Sequence, residues 1–540
     1  MKNYEAIVTC FATTMAFFLL GCADHSGVAD HNSTTMQDRS VVYEIFVQSF
    51  CDSNGDGIGD LLGVVEKLDY IEDLGVGAIW LMPISPSPSY HKYDVTNYYD
   101  IHPDYGTLDD FKLLIREAHN RGIKVILDFV INHTSSEHPW FQRAIQDQNG
   151  PFRDFYTWQY RDAVKEQLAQ KEILYDTDNI SQWHSPDGDP GSEHYYGFFY
   201  HGMPDLNYDN PVVRKEIYDI GRFWLDLGVD GFRMDAAKYI YPEDRAEDNH
   251  AFWKEFMSTM KIHKSDVYLV GEVWADNTVS APFYQGFNSL FNFDLALSIK
   301  ESLRRGASCS AVIDGPGIAV DTSRSLTESI IQMHTSYKKY NPEFIDAVFL
   351  SNHDQNRIAS DLSGDLNKLK MAANILMTIP GRPYIYYGEE LAMLGEKPDE
   401  YIREPMIWSN DSNRNNSSTS WLKPRFSTLT SVKGVGTQIS DQNSLLQHYK
   451  RLIELRNESQ ILSHGHMADS EFVFEGTISY QLSIDPTVAL IIHNISSKEI
   501  PLPFEELKLK YPGEWVIIGT KVNNHGLETL MPYTSILLKT

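Results

Sequence analysis

Apolar residues along this chain fall into short unbroken runs separated by longer amphipathic stretches. Val41-Val42-Tyr43-Glu44-Ile45-Phe46 is the first run, Ala78 to Pro83 the second and Lys124 to Val130 the third. Phe232 to Ala236, Val267 to Val273, Leu290 to Phe293, Ala347 to Leu350 and Tyr384 to Tyr387 continue the series. Runs of this kind predict parallel strands covered on both faces. Between them, Leu108 to Asn120, Pro211 to Leu227 and Leu369 to Thr378 read as helices. Eight such units over roughly 400 residues predict an α/β fold, a (β/α)8 TIM barrel with insertions.

The pattern breaks twice. The third strand-to-helix connection, Thr134 to Pro204, is too long for a loop and rich in aromatics, Asp and Gly, so it predicts a small inserted domain. After a helix around Leu445 to Arg456 the apolar period falls to two. Phe472-Val473-Phe474, Val488 to Ile492 and Trp515 to Ile518 then predict an antiparallel β-sandwich. The expected division is a barrel of residues 39–133 and 205–460, an insert of 134–204 and a C-terminal sandwich of 461–540. A second long connection, Leu391 to about Gln442, is polar.

The first 22 residues read as a processing signal rather than fold. Lys2 precedes an apolar run from Ile7 to Leu20, and the ending Leu19-Leu20-Gly21-Cys22 resembles a bacterial lipobox, in which Cys22 is lipidated. An ordinary signal peptide or membrane anchor is the alternative. Residues 23–38 are polar and read as a tether. These features place the expected protein in a bacterial cell envelope, periplasmic or cell-surface, touching membrane only through its N-terminal lipid. Cys51 and Cys309 are left as a disulfide or two buried thiols.

Composition narrows the partners. Hydrophobic residues make up 42% of the 540, which is globular, and 46 Lys+Arg against 74 Asp+Glu give a formal charge of −28. A chain that acidic, with no basic run, repels phosphate backbones and is not expected to bind nucleic acid. A monomer is expected.

Chemistry collects at the carboxyl ends of the predicted strands, the rim where barrel enzymes place their sites. Strand three ends Asp128-Phe129-Val130-Ile131-Asn132-His133, and strand four reads Gly231-Phe232-Arg233-Met234-Asp235-Ala236-Ala237-Lys238. Strand five ends Gly271-Glu272-Val273-Trp274, and strand seven ends Ser351-Asn352-His353-Asp354. Arg233 and Asp235 are two apart, so they share a face of the strand, and an ion pair there holds the carboxylate aimed. Each acid alone reads as a solvated cap or structural salt bridge. Several on one rim fit glycoside chemistry, which needs a nucleophile and a proton donor about 5 Å apart.

These four clusters (DFVINH, GFRMDAAK, GEVW and FLSNHD) resemble, in type, order and placement, the four short regions shared by the α-amylase family of glycoside hydrolases. The resemblance implies that Asp235 is the nucleophile, Glu272 the general acid/base and Asp354 the third carboxylate, with Arg233, His133 and His353 in the same subsite. Tyr93-Asp94 resembles the family's sugar-stacking loop, with Asp94 on the sugar hydroxyls. Lys238 matches a lysine directed at the leaving-group side, although Tyr239 stands where the motif usually has histidine; the plain alternative is that Lys238 pairs with an acid of the inserted domain. Met203-Pro204-Asp205-Leu206-Asn207 resembles a fifth region intermediate between the oligo-1,6-glucosidase and neopullulanase patterns.

Asp52-Ser53-Asn54-Gly55-Asp56-Gly57-Ile58-Gly59-Asp60 follows strand one. Oxygen donors at alternate positions suit Ca²⁺, and a solvated turn is the plain reading. In the resembling family a similar loop holds calcium through Asp52, Asn54, Asp56, Asp60 and the Ile58 carbonyl. The expected activity is cleavage of internal α-1,4 bonds in starch-like α-glucans and maltooligosaccharides with retention. An exo-acting α-glucosidase, a neopullulanase or a trehalose-forming relative is the enzyme alternative. Arg403-Glu404-Pro405-Met406-Ile407-Trp408 resembles a segment of those relatives, with Arg403 paired to Asp94 as the closure of the site. A surface glycan-binding protein without catalysis is the remaining alternative.

Overall fold

The computed structural model describes residues 40–171, 175–409, 417–518 and 528–540. Eight parallel strands close into a barrel: Val42–Ile45, Ala78–Leu81, Lys124–Phe129, Gly231–Met234, Tyr268–Gly271, Ser289–Phe291, Ile345–Phe349 and Arg382–Tyr386. Each pairs with its neighbours in chain order, and the eighth closes on the first through Val42 opposite Tyr384. All eight predicted strands are present.

Why these runs become barrel strands is visible in their alternation. Val42, Ala78, Trp80, Ile126, Val270, Ala347 and Tyr384 point inward and form one cluster. Tyr43, Ile79, Val125, Phe232 and Leu269 point outward into the larger core beneath the helices. With both faces apolar, a strand has no solvent side, so the sequence shows a run rather than an alternation. Gly231 is needed at the start of the fourth strand, because a Cβ there would lie 2.3 Å from the Tyr268 carbonyl oxygen.

The helices carry local start signals. Leu108–Asn120 begins with a capping box in which Thr107 accepts from the Asp110 amide and Asp110 returns the bond. Its Phe111, Leu114, Ile115 and Ala118 make the buried stripe. Pro211–Asp226 is capped by Asn210 with Pro at its first position. Both follow the predicted spans to within a residue.

Between the third and fourth strands lie the helices Pro139–Gln146 and Arg161–Ala169 and a three-stranded antiparallel sheet with Glu193–Tyr196 at its centre. At the C-terminus, His466–Asp469, Thr477–Ile484, Thr487–Asn494, Ser535–Lys539 and Trp515–Ile518 form a five-stranded antiparallel sheet in that order, beside a two-stranded sheet. Its middle strand is buried on both faces. Ala489 and Ile491 join the barrel-side core, while Leu490 and Ile492 pack with Phe472, Leu507 and Leu538. Phe472-Val473-Phe474 is not a strand, contrary to expectation; the strand starts at Thr477. Phe472 packs into the outer layer while Val473 is exposed, so the apparent alternation marks an irregular segment crossing the sheet. Cys51 and Cys309 are two buried free thiols. The candidate lipidation residue Cys22, the signal and the tether lie outside the described residues.

Candidate active site

The period of two that builds the barrel interior also delivers its chemistry. Val42 faces inward, so Glu44 does as well; Ile126 places Asp128, and Val270 places Glu272. Arg233 sits in register between Asp128 and Val270, with Phe232 turned outward. At the carboxyl ends of the strands, these interior positions become polar.

Arg233 is the hub and is fully buried. Its Nη1 donates to Asp235 Oδ1 at 2.6 Å and to Asp128 Oδ1 at 2.8 Å. Its Nη2 lies 2.7 Å from Glu272 Oε2, within ion-pair distance but off the angle of a hydrogen bond. Directly after Asp235, Ala236 adopts a left-handed backbone, φ 49° and ψ 36°, uncommon for a residue with a Cβ. That turn points the Ala236 N–H at Glu272 Oε2, 3.2 Å away. Strain at such a position costs of order 1–3 kcal/mol and is typical of sites the surrounding fold holds in place.

A second cluster faces the first. His353, also fully buried, places Nε2 3.0 Å from Asp354 Oδ2 and 2.6 Å from Tyr93 Oη, and Nδ1 2.6 Å from Glu44 Oε1. Tyr93 stacks on the imidazole, ring centroids 5.5 Å apart at 11°, and donates to Asp128 Oδ2. Arg403 Nη2 donates to Asp354 Oδ1 at 2.9 Å. His133 Nε2 lies 3.1 Å from the Tyr93 carbonyl.

Negative charge is in excess here, since Glu44, Asp128, Asp235, Glu272 and Asp354 share Arg233, His353 and Arg403. Burial pushes the Glu272 carboxyl up to about 7; Arg233 opposes this, and Asp235 and Asp354 reinforce it. Burial acts in the same direction on Asp354, but His353 and Arg403 hold it well below the usual carboxylate range. Adjacent acids are thereby driven apart, one towards proton donor and one towards permanent anion.

Asp235, Glu272, Asp354, Tyr93, His133 and Arg403 line one cavity of about 390 Å³. Arg233 and His353 stand behind its wall. Sequence reasoning gave no role to the aromatic rim. Phe198 stacks on Tyr239 at 3.9 Å, and Phe199, Tyr200 and Trp274 are 46%, 39% and 41% exposed at the cavity. The signal for Phe198, Phe199 and Tyr200 was the aromatic richness of the insert, while Tyr239 and Trp274 follow the fourth and fifth strands. Asp399 and Glu44 were also missed; a lone acid in a polar connection or an apolar run carries no pattern.

Two residues meet partners other than the resemblance implies. Arg403 does not pair with Asp94: Asp94 is 3% exposed and accepts hydrogen bonds from Ser87 Oγ at 2.6 Å and from Ser89 Oγ. Arg403 instead reaches Asp354 and, at 3.4 Å, Asp399. Lys238 is not in the cavity lining and takes the alternative pairing with an inserted-domain acid. It lies in the single turn Ala237–Tyr239, which sends Tyr239 to the cavity and Lys238 to Glu243 at 2.8 Å and Asp176 at 3.0 Å.

The Asp52–Asp60 loop offers only oxygen donors, the kind a hard cation takes. Asp52 and Asp60 are buried, and their oxygens accept backbone N–H groups: Asp52 from Gly55 and Gly57, Asp60 from Gly63. Asn54 and Asp56 accept from the amides two residues on. Asp52 Oδ1 and Asp60 Oδ1 each accept two hydrogen bonds, whereas Asp52 Oδ2, Asp60 Oδ2, Asn54 Oδ1 and Asp56 Oδ1 accept one and keep a lone pair, so the donors fit calcium in kind. Among the described residues, no group of three or more His, Cys, Asp or Glu is arranged as a metal site.

Residues 44–465 match the model of the α-amylase catalytic domain. Alpha-amylase 3 of Dictyoglomus thermophilum is 40% identical over 502 residues, covering 93% of each chain. A 4-alpha-glucanotransferase of Thermotoga maritima is 35% identical, covering 87% of this chain and 98% of its own. The crystal structure of an alpha-amylase from H. orenii superposes with a TM-score of 0.78 at 38% identity, covering 93% of this chain and 99% of its own. With an eight-stranded barrel, an acid-rich rim and a family match over most of its length, the chain belongs to the α-amylase family of glycoside hydrolases, enzymes acting on α-glucans.

Proposed function

We propose that the protein is a retaining α-amylase that hydrolyses internal α-1,4-glucosidic bonds of starch and maltooligosaccharides. The observation that carries the reading is the single guanidinium of Arg233 spanning Asp235 and Glu272. One bridging group favours the short separation of about 5–5.5 Å used by retaining enzymes over the 6.5–9.5 Å that leaves room for a water between two acids. Asp235 attacks the anomeric carbon as the glycosidic C–O bond breaks, and Glu272 gives its proton to the departing oxygen. Water then enters, Glu272 takes its proton, and the glycosyl ester on Asp235 is cleaved. Asp354, fixed by His353 and Arg403, accepts from the hydroxyls of the sugar being distorted, and Tyr93 covers its apolar face.

Internal attack is supported by the open aromatic rim, on which a glucan can lie past the cleavage point. An exo-acting reading has its own observation: Arg403 and Asp399, paired at 3.4 Å, both line the cavity, a pair suited to closing it behind a terminal glucose. The product profile from soluble starch separates them. Mixed oligosaccharides released first as α-anomers support internal retaining attack. Glucose alone supports the exo reading, and initial β-anomers refute retention.

Calcium bound by Asp52, Asn54, Asp56, Asp60 and the Ile58 carbonyl, holding the loop after the first strand, belongs to the same proposal. So does a lipid on Cys22 anchoring the protein in the cell envelope. Among the described residues no helix is long and apolar enough to cross a membrane. If that lipid is the anchor, Cys22→Ala releases the protein from membranes, and a variant that still sediments with them removes the lipid from the proposal.

A further inference from the structure

Glu44 is absent from the cavity lining, yet it meets the site at a point the reaction depends on. It lies on the inward face of the first barrel strand, 1% exposed, opposite Trp80 on one side and Tyr386 on the other. Its Oε1 is 2.6 Å from His353 Nδ1. The histidine's other nitrogen faces two groups. Tyr93 Oη is 2.6 Å away, and its single proton is committed to Asp128 Oδ2 at 3.0 Å, so the phenol oxygen can only accept. Asp354 Oδ2 at 3.0 Å also accepts, since Arg403 pairs with Oδ1 of the same carboxylate and holds it ionised. Nε2 must therefore carry a proton. A neutral imidazole with its proton on Nε2 would turn a lone pair at Nδ1 towards Glu44, carboxylate against lone pair at 2.6 Å. A second proton on Nδ1 removes that clash.

We propose that Glu44 is a positioning residue which holds His353 as a two-sided hydrogen-bond donor, so that Nε2–H always faces Asp354 and Tyr93. It rests on the reading of this cavity as the reaction site, and it assigns a function to a residue outside the four motif clusters. Glu44 acts through His353 and does not itself touch substrate.

The surroundings of His353 agree. Trp80 from the second strand packs T-shaped against the imidazole, ring centroids 5.5 Å apart, and Arg403 Nε donates to the His353 carbonyl at 2.9 Å. Asp128, Arg233 and Asp235 lie behind Tyr93, Glu272 stands across the cavity, and Tyr384 and Tyr386 flank Glu44 from the eighth strand. Burial lowers the imidazole's proton affinity, but Asp354 and Glu44 reverse this and raise it to about 10. Without Glu44 the burial penalty remains and one of its two opposing charges is gone.

The test compares Glu44→Gln, which keeps the shape and loses the charge, with Glu44→Asp, which keeps the charge. Activity is read as kcat/KM on α-maltosyl fluoride, whose leaving group departs without protonation, so Glu272 does not enter the profile. The ratio of Glu44→Gln to wild type is expected to fall at least tenfold between pH 5.5 and 8.5, while that of Glu44→Asp stays flat. A flat ratio for Glu44→Gln makes Glu44 a packing residue and overturns the proposal. Independently of activity, ¹⁵N-histidine NMR, with His353 assigned by difference from His353→Asn, should show both imidazole nitrogens protonated at pH 8 in the wild type and only one in Glu44→Gln. A single protonated nitrogen in the wild type at pH 7 overturns it as well. If the wild type leaves the fluoride uncleaved, the proposed reaction fails, and the NMR still decides the role of Glu44.

Discussion

Glu272 has to be protonated when it acts, and the structure sets the pH at which that ends. Burial, with Asp235 and Asp354 beside it, raises its carboxyl from 4.5 to about 7. At pH 6 such a group is about nine-tenths protonated, whereas an ordinary glutamate is about 3% protonated, a difference of roughly thirtyfold in competent enzyme. The proton is lost as pH rises, so kcat/KM on maltoheptaose should decline above about pH 7. That ratio reports the free enzyme, the state described here. On α-maltosyl fluoride, which needs no proton for bond breaking, the decline should be absent. Glu272→Gln should lower kcat/KM on maltoheptaose by about 10²–10⁴, the usual worth of a positioned acid, and by far less on the fluoride. Steady-state rates on both substrates from pH 4.5 to 9 decide the matter. If both substrates lose activity together near pH 7, or if the variant loses equally on both, Glu272 is not the proton donor and the assignment of roles on this rim is wrong.

Three further outcomes follow from the geometry. Asp235→Asn should keep the melting temperature and lose several orders of magnitude in kcat, because an amide cannot form the glycosyl ester; a loss under tenfold, about 1.4 kcal/mol, would falsify the nucleophile assignment. If the Asp52–Asp60 loop binds calcium only when folded, saturating ion near 100 times its Kd stabilises by about 2.7 kcal/mol. Chelation should then lower the melting temperature, and an unchanged curve with no metal by elemental analysis supports the bare turn. Lys238, largely buried against Glu243 and Asp176, should act on stability rather than on substrate length. Lys238→Ala is expected to cost about 1–3 kcal/mol by leaving Glu243 partly buried without its partner, with equal effects on maltotriose and maltoheptaose. A loss confined to maltoheptaose restores Lys238 to the cleft.

The sequence by itself determined the barrel, because each strand lies between an apolar interior and an apolar helix layer and so declares itself as a run. It also determined which residues stand on the rim. A strand has a period of two, and Arg233 and Asp235, or Val270 and Glu272, keep their faces whatever surrounds them. Tertiary structure decided which partner each rim residue meets. Glu44 and His353 are 309 positions apart and meet only because the first and seventh strands bring their ends to one rim. Arg403, in a connection with no period, was free in sequence terms to reach Asp94 or Asp354. It reaches Asp354, while the neighbouring serines Ser87 and Ser89 satisfy Asp94 locally. Lys238 matched a motif in one dimension, but a single turn after a left-handed Ala236 rotates it out of the cavity and puts Tyr239 there. The C-terminal sheet shows the same division: its middle strand Thr487–Asn494 and its edge strand Trp515–Ile518 were legible from their residues, whereas Phe472 mimicked a strand because the fold buries an irregular segment on one side. Hydrophobic period is a local property set by backbone geometry. Charge pairing depends on which distant side chains share a buried space, and only the closed barrel fixes that.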